Sequence, residues 1–293
     1  MKKKILVIAL ALLVSIGGIS FAEDIGLTVG VELGILDFSD IDNHGVDIIP
    51  FIEFYTDSLA DGLELTAGLE IPITVGIAGE DPIIEVGFYA DVLYSLPLSS
   101  DMSLGFGLFA GLYSDGLSDD GSIAFDVPLI PRFRLDNALD GLGDFYVELA
   151  LPFGGINSEN VELTLGLNLM AGLFMDNGFG IEAGIAGMEF GPLAELPGID
   201  FGIDDGNDFS LDFITVRPSF SYEFIFASLD VIIPVGDGMI EAHGVPLIPG
   251  VEIDFSGLGV EGLNVWAALP IYGIGSSAGE IKVGLTLGAS FSF

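Results

Sequence analysis

The chain ends in Ile281-Lys-Val-Gly-Leu-Thr-Leu-Gly-Ala-Ser-Phe-Ser-Phe293, where every odd position is apolar and every even position is Lys, Gly, Thr or Ser. The same alternation runs through residues 25–35, 63–75 and 161–169. Side chains two positions apart lie on the same face of a β-strand, so each stretch predicts a strand with one apolar face. We find no stretch that keeps the 3.6-residue period of a helix. The sequence therefore predicts an all-β fold.

The composition is strongly acidic and strongly apolar at the same time. The 293 residues include 44 Asp and Glu against 7 Lys and Arg, while 51% of residues are hydrophobic. Disordered chains combine high charge with low hydrophobicity, so disorder is not expected. A net charge of −37 repels phosphate, which excludes nucleic acid as a partner. The lack of cysteine excludes disulfides and thiolate metal sites.

The N-terminus has the pattern of a cleaved signal peptide. Lysines at positions 2–4 precede an apolar core at 5–16, which is too short to cross a bilayer. Ala22 supplies a small residue at the predicted cleavage site. We predict that residues 1–22 form the signal peptide and residues 23–293 the exported domain.

The apolar faces indicate a membrane protein. They consist almost entirely of Leu, Ile, Val, Phe and Ala, and charged residues are confined to the opposite face. The segments run for about 9 to 13 residues, the length of a tilted membrane-spanning strand. Open sheet edges are not stable in lipid, so such strands must close on themselves. We predict a transmembrane antiparallel up-and-down β-barrel, with a soluble sandwich or β-solenoid as the alternative.

Clusters of Gly, Asp, Asn, Ser and Pro divide the exported domain into about fourteen strands, with twelve and sixteen as alternatives. An even number returns both termini to the periplasmic side. The weakest boundary lies between Glu223 and Ser228, which contains no Gly, Pro or Asn. The predicted strands are 25–36, 46–55, 63–75, 83–94, 102–113, 123–135, 144–153, 160–173, 179–190, 209–222, 228–236, 245–255, 263–274 and 280–293.

Prolines recur in a pattern that indicates an internal repeat. Four prolines with apolar flanks open a strand, and about 16 to 22 residues later another proline closes the next strand. We interpret these as four copies of one hairpin with both prolines at its open end, because proline cannot donate to the strand ladder. If the first strand runs outward, the extracellular rim carries Pro50, Pro72, Pro131, Pro152, Pro218, Pro234, Pro249 and Pro270.

The signal peptide, the alternating strands and the terminal aromatic residue together resemble bacterial outer-membrane β-barrel proteins of the porin type. In that family the last strand ends in Phe after alternating apolar residues, a signal for insertion that the barrel-assembly machinery reads. Phe291 and Phe293 match this pattern. The resemblance is architectural, and it implies the outer membrane of a Gram-negative bacterium, with its lipid and the assembly machinery as partners.

The faces opposite the apolar ones predict the lining of a pore. Carboxylates dominate these faces, so we expect a diffusion pore for small hydrophilic solutes or cations, with a preference for cations. The predicted lining residues are Glu32, Glu64, Glu70, Glu85, Asp91, Asp126, Arg132, Arg134, Glu148, Glu162, Glu182, Arg217, Asp230, Glu252 and Lys282, and the same rule adds Glu53, Glu223 and Asp254. The alternative is a structural or surface-interaction barrel whose lumen is plugged by residues 191–208 and whose acidic loops bind cations.

The predicted external loops hold weak candidates for metal binding. Hard divalent cations bind oxygen ligands, but no loop has the full twelve-residue calcium pattern. We therefore expect no cofactor beyond loosely bound calcium or magnesium. The histidines His44 and His243 lie outside the predicted strands and belong to no catalytic motif, so no enzyme is expected. The candidate ligands are Asp119, Asp120, Asp204, Asp205 and Asp208.

Overall fold

A computed structural model describes much of the chain after residue 25. The described residues are 26–35, 38, 45–76, 82–117, 123–127, 129–156, 161–185, 189–190, 194–195, 199–200, 210–211, 213–235, 244–277 and 281–293. Outside them lie the predicted signal peptide, most of the predicted plug 191–208, His44, His243, and the loop candidates Asp119, Asp120, Asp204, Asp205 and Asp208.

The described residues are nearly all in β-strands. One short 3-10 helix covers Phe255–Leu258, and the described residues include no helix of the length and apolarity needed to cross a membrane. The strands are β1 (Gly26–Ile35), β2 (Val46–Ala60), β3 (Leu63–Glu70), β4 (Ile73–Val75), β5 (Ile83–Ile84), β6 (Gly87–Pro97), β7 (Met102–Leu117), β8 (Ile123–Asp126), β9 (Leu129–Leu139), β10 (Gly143–Ala150), β11 (Phe153–Ile156), β12 (Val161–Met175), β13 (Phe179–Ile185), β14 (Glu189–Phe190), β15 (Ala194–Glu195), β16 (Ile199–Asp200), β17 (Ser210–Leu211), β18 (Phe213–Tyr222), β19 (Ile225–Pro234), β20 (Val245–Asp254), β21 (Leu263–Ala268), β22 (Ile271–Ile274), β23 (Lys282–Val283) and β24 (Leu285–Ser292).

Fourteen of these strands form a closed antiparallel ring. Each pairs with the next along the chain, and β24 pairs back with β1 from Thr28 opposite Ser292 to Ile35 opposite Leu285. The shorter strands β4, β5, β8, β11, β22 and β23 extend the ring strands that precede or follow them. The ring order is β1, β2, β3, β6, β7, β9, β10, β12, β13, β18, β19, β20, β21 and β24. The predicted up-and-down barrel with about fourteen strands is confirmed.

The two ends of the barrel differ in their connections. Short turns at 61–62, 98–101, 140–142, 176–178, 223–224 and 255–262 lie at the end where β1 begins and β24 finishes, which we call the turn end. The remaining connections between ring strands lie at the opposite end, the loop end. Glu223 begins the two-residue turn between β18 and β19 with a φ of 53°, an unusual left-handed conformation for a residue other than glycine.

The outer face of the wall is apolar. Large side chains such as Phe88 and Leu108 are 52% and 46% exposed, and Phe106 and Phe133 meet edge to edge at 5.8 Å on the same face. A belt of exposed Leu, Ile and Phe of this size is unfavourable in water and suits contact with lipid. The alternation in the sequence thus corresponds to an outward apolar face and an inward polar one.

The repeat predicted that all eight prolines would lie at one rim of the barrel, but they do not. Those that open a hairpin lie inside strands, while Pro72, Pro152 and Pro270 lie at breaks between two strand segments, and Pro234 ends β19. The reason is that the strand ladder is already interrupted at these breaks, so the missing proline donors cost little there.

The repeat itself is present in three of the four hairpins. Backbone N–H groups of Ile71, Leu151 and Leu269 donate to the carbonyls of Pro50, Pro131 and Pro249 at 3.0, 2.9 and 2.9 Å. In the fourth hairpin Pro234 lies opposite Phe213 rather than beside Pro218, because Pro218 is five residues before the turn at 223–224 and Pro234 is ten residues after it.

Candidate functional site

The interior face is identified by side chains that meet across intervening strands. The Tyr89 hydroxyl on β6 donates to Glu53 on β2 at 2.8 Å, although β3 lies between these strands. Side chains two strands apart converge only on the concave side of a curved sheet. Glu53, Tyr89 and the residues in phase with them therefore face the lumen.

The same crossing occurs three times among the described residues, and we call each one an aromatic bridge. An aromatic side chain passes over a glycine on the neighbouring strand and donates a hydrogen bond to a carboxylate on the strand beyond. A Cβ on any of the three glycines would overlap the ring, so each position requires glycine. The aromatic bridges are Tyr89–Gly68–Glu53, Tyr146–Gly172–Glu182 and Trp266–Gly288–Glu32.

The arginines also lie on the interior face and contact carboxylates. Arg132 pairs with Asp91. Arg134 Nε lies 2.8 Å from Asp136 Oδ1, and its Nη1 lies 3.7 Å from Glu148 Oε2. All these groups lie on β6, β9 and β10, so this part of the wall carries its own counter-charges.

A second arginine group continues the network around the wall. Arg217 Nη2 donates to Asp230 Oδ2 at 2.8 Å, and its Nη1 lies 3.7 Å from Glu182 Oε2. Glu182 accepts from Tyr146, and the Arg134 guanidinium lies 4.3 Å from the centre of the Tyr146 ring, which is cation–π distance. A continuous chain of polar contacts therefore runs along the interior from β9 to β19.

Most of the predicted lining residues lie on the interior face, at alternate positions in step with Glu53 and Tyr89; we call this the interior phase. Glu85 is at the break between β5 and β6, where its N–H donates to the Pro72 carbonyl at 2.9 Å. Lys282 is exposed near the loop end. The side chains of Asp126 and Glu162 lie outside the described part of the chain. On the interior phase are Glu32, Glu64, Glu70, Asp91, Arg132, Arg134, Glu148, Glu182, Arg217, Asp230 and Glu252.

Two expected lining residues lie at the turn end. Glu223 is exposed in the turn that follows the last residue of β18, Tyr222. Asp254 is exposed at the end of β20, where its carboxylate accepts from the Ser256 N–H at 2.8 Å and caps the 3-10 helix. The assignment of Glu223 to the lumen wall was wrong, whereas Asp254 keeps the interior phase, opposite Asn264.

Sequence reasoning missed several interior polar residues. Asp47 accepts from the Thr74 hydroxyl at 2.6 Å on the interior face. Asp136 contacts Arg134. Both lie at alternate positions in step with residues that were assigned to the lumen on the same strand. The alternation could therefore have identified them. The hydrogen-bonding aromatic residues Tyr89 and Tyr146 left no such signal, since each depends on a carboxylate 36 residues away.

A cavity of about 590 Å³ lies at the turn end of the lumen. Arg134, Asp136, Tyr146 and Phe174 line it together with the turn at 98–101. The Tyr146 and Phe174 rings are nearly parallel, with centroids 6.2 Å apart. This mouth therefore combines charged groups with aromatic faces. No group of three or more Asp, Glu or His among the described residues is arranged to hold a metal ion.

The barrel is similar to several solved structures, all of them at low sequence identity. CdiB from Acinetobacter baumannii matches with a TM-score of 0.53 at 10% identity, over 93% of this chain and 60% of that one. The P. putida toluene transporter TodX matches at 0.49 and 12% identity, over 93% and 90% of the two chains. A KdgM porin in complex with disordered oligogalacturonate matches at 0.43 and 8% identity, over 91% and 99%. No protein-family description matches the sequence, and no curated protein matches it either. The likeness to CdiB supports the fold alone, a closed β-barrel.

Proposed function

We propose that the chain forms a diffusion pore in a bacterial outer membrane, with a preference for cations. The observation that carries the proposal is the charge balance of the interior face. The three arginines of the chain contact five carboxylates. Further carboxylates of the same phase include Glu32, Glu53, Glu64 and Glu252. Acidic side chains therefore outnumber basic ones on the described part of this face, and we infer a net negative charge for the interior.

A negative lumen favours cations for a physical reason. The wall has a low dielectric constant, so it focuses the field of the carboxylates into the water-filled space and raises the local concentration of cations. The arginine contacts are local, so they do not cancel the field of carboxylates on other strands. No cofactor is part of this proposal.

The proposal includes the cellular location. Phe291 and Phe293 are the alternating aromatic residues of the last strand, with ring centroids 4.8 Å apart, and they would present the insertion signal to the barrel-assembly machinery. Outer-membrane lipid would contact the apolar outer face. Export by the signal peptide 1–22 is the expected route.

Reversal potentials in a planar bilayer test the ion preference. In a salt gradient we expect a cation-to-anion permeability ratio of about ten or more. Glu252→Gln should lower this ratio, because Glu252 is on the interior face. Glu261→Gln removes the same charge from an exposed turn at 261–262 and should leave the ratio unchanged. An anion-selective pore would contradict the proposal.

A second function is supported by packing inside the barrel. On the interior face Ile49, Ile130, Ala150 and Ile232 are buried, which indicates a tightly filled lumen at their level. A filled lumen would suit a structural or surface-interaction barrel that does not conduct ions. It predicts no current steps from the intact protein, and steps after deletion of residues 192–205 if that segment closes the lumen.

A further inference from the structure

Glu70 occupies a position that recurs in three hairpins of the barrel, and the other two hairpins have alanine there. The residue pairs at this level are Phe51 opposite Glu70, Arg132 opposite Ala150 and Gly250 opposite Ala268. In each hairpin the residue that follows this position donates its backbone N–H to a proline carbonyl. The pairs are Ile71 with Pro50, Leu151 with Pro131 and Leu269 with Pro249. The three positions are therefore structurally equivalent, and only in the first hairpin does this position carry a charge.

The Glu70 carboxylate is buried and incompletely paired. The residue is only 9% exposed, and its Oε1 has no hydrogen-bond partner among the described residues. Burying a carboxylate without a partner is costly. Alanine at the two equivalent positions shows that the fold accepts a small apolar side chain there. The geometry thus leaves a buried acceptor for which the described residues supply no partner.

Aromatic rings and a second carboxylate surround this position. Phe51 lies opposite Glu70, and its ring leans over Gly30 towards β1. The Phe51 and Trp266 centroids are 6.3 Å apart, and Trp266 Nε1 donates to Glu32 at 3.1 Å. Glu32 lies on the same interior face two strands away, on β1 opposite Ile49. Two acidic groups and two rings therefore share one region of the lumen wall.

These groups suit an organic cation better than a metal ion. Two carboxylates attract a positive charge, and aromatic faces attract a weakly hydrated cation through their π-electrons. Calcium and magnesium require more oxygen ligands, and the described residues provide no cluster of three acidic or histidine ligands. An ammonium group also supplies N–H donors for a carboxylate oxygen.

We propose that Glu70 and Glu32 form a binding site for small alkylammonium cations in the lumen, beside the rings of Phe51 and Trp266. The site rests on the proposed cation pore, because the ligand must enter the lumen to reach it. It would retain amines during their passage rather than merely raise the local concentration of cations.

Fluorescence tests the site without a current measurement. Trp266 is the one tryptophan of the chain, so its emission reports on this region alone. The folded barrel in detergent micelles is titrated with methylammonium chloride, and sodium chloride at equal ionic strength is the reference. We expect a saturable change with methylammonium only. Glu70→Gln should raise the dissociation constant by about tenfold or more, as loss of a charged hydrogen-bond partner does.

Two further variants control the measurement. Glu261→Gln removes a carboxylate from the exposed turn at 261–262 and should leave the titration unchanged. Glu70→Ala introduces the residue of the equivalent positions, so it should fold and also lose the response. Identical curves for the two salts, or for wild type and Glu70→Gln, would overturn the site, as would a response to calcium at lower concentration. A cation-selective pore without the fluorescence response would contradict only the site, and a response in a non-conducting barrel would contradict only the pore.

Discussion

Leu169→Arg is expected to prevent stable insertion of the barrel into lipid vesicles. Leu169 lies near the middle of β12, 41% exposed on the outer face, and it is opposite Leu149 and Ile185 on the neighbouring strands. An arginine near the centre of the apolar band costs about 2–4 kcal/mol. The free energy of unfolding in urea should fall by that amount, and the yield of the compact, heat-modifiable band should fall with it.

Met170→Arg is the matched control, since it places the same side chain one residue further along the strand. Met170 has the interior phase and lies opposite Glu148, so an arginine there would meet water and negative charge. The unfolding free energy should change little. Asn168 would not serve as the control, because it is only 8% exposed. Equal losses for Leu169→Arg and Met170→Arg would contradict the assignment of the two faces.

The strands could be predicted because alternation is a local property of the sequence. The stretch that ends at Phe293 becomes β23 and β24, and residues 26–35 become β1. The boundary near Glu223 was the hardest to place, since its turn uses a glutamate with positive φ instead of glycine or asparagine. It was still located approximately, because β18 and β19 alternate on both sides of it.

The contacts inside the barrel could not be predicted from the sequence alone. An aromatic bridge depends on the register of three strands, and the Trp266–Glu32 bridge closes the ring between residues 234 positions apart. A shift of one residue in either pairing would move the tryptophan to the outer face. The prolines were misplaced for a related reason: sequence indicates that a proline interrupts a ladder, but not that neighbouring strands are interrupted at the same level.

The aromatic bridges imply that their glycines are fixed by the rings above them. Gly288 lies between Trp266 and Glu32, and a Cβ on it would overlap the indole. We expect Gly288→Ala to displace the ring, break its hydrogen bond to Glu32 and lower the free energy of unfolding by about 1–3 kcal/mol, the usual cost of overpacking. The emission of Trp266 should shift to longer wavelength as the ring becomes more exposed to water.

A matched glycine separates this effect from a general intolerance of alanine in the strands. Gly34 has the same phase on β1, and a Cβ there would meet the Asp47 Cβ at an ordinary contact distance of 3.6 Å. Gly34→Ala should therefore be nearly neutral. In a Trp266→Ala background the overlap at Gly288 no longer exists, so the cost of Gly288→Ala should largely disappear, as expected for two residues in direct contact. If Gly288→Ala costs the same with and without Trp266, the glycine serves the backbone rather than the bridge, and the bridge does not stabilise the wall.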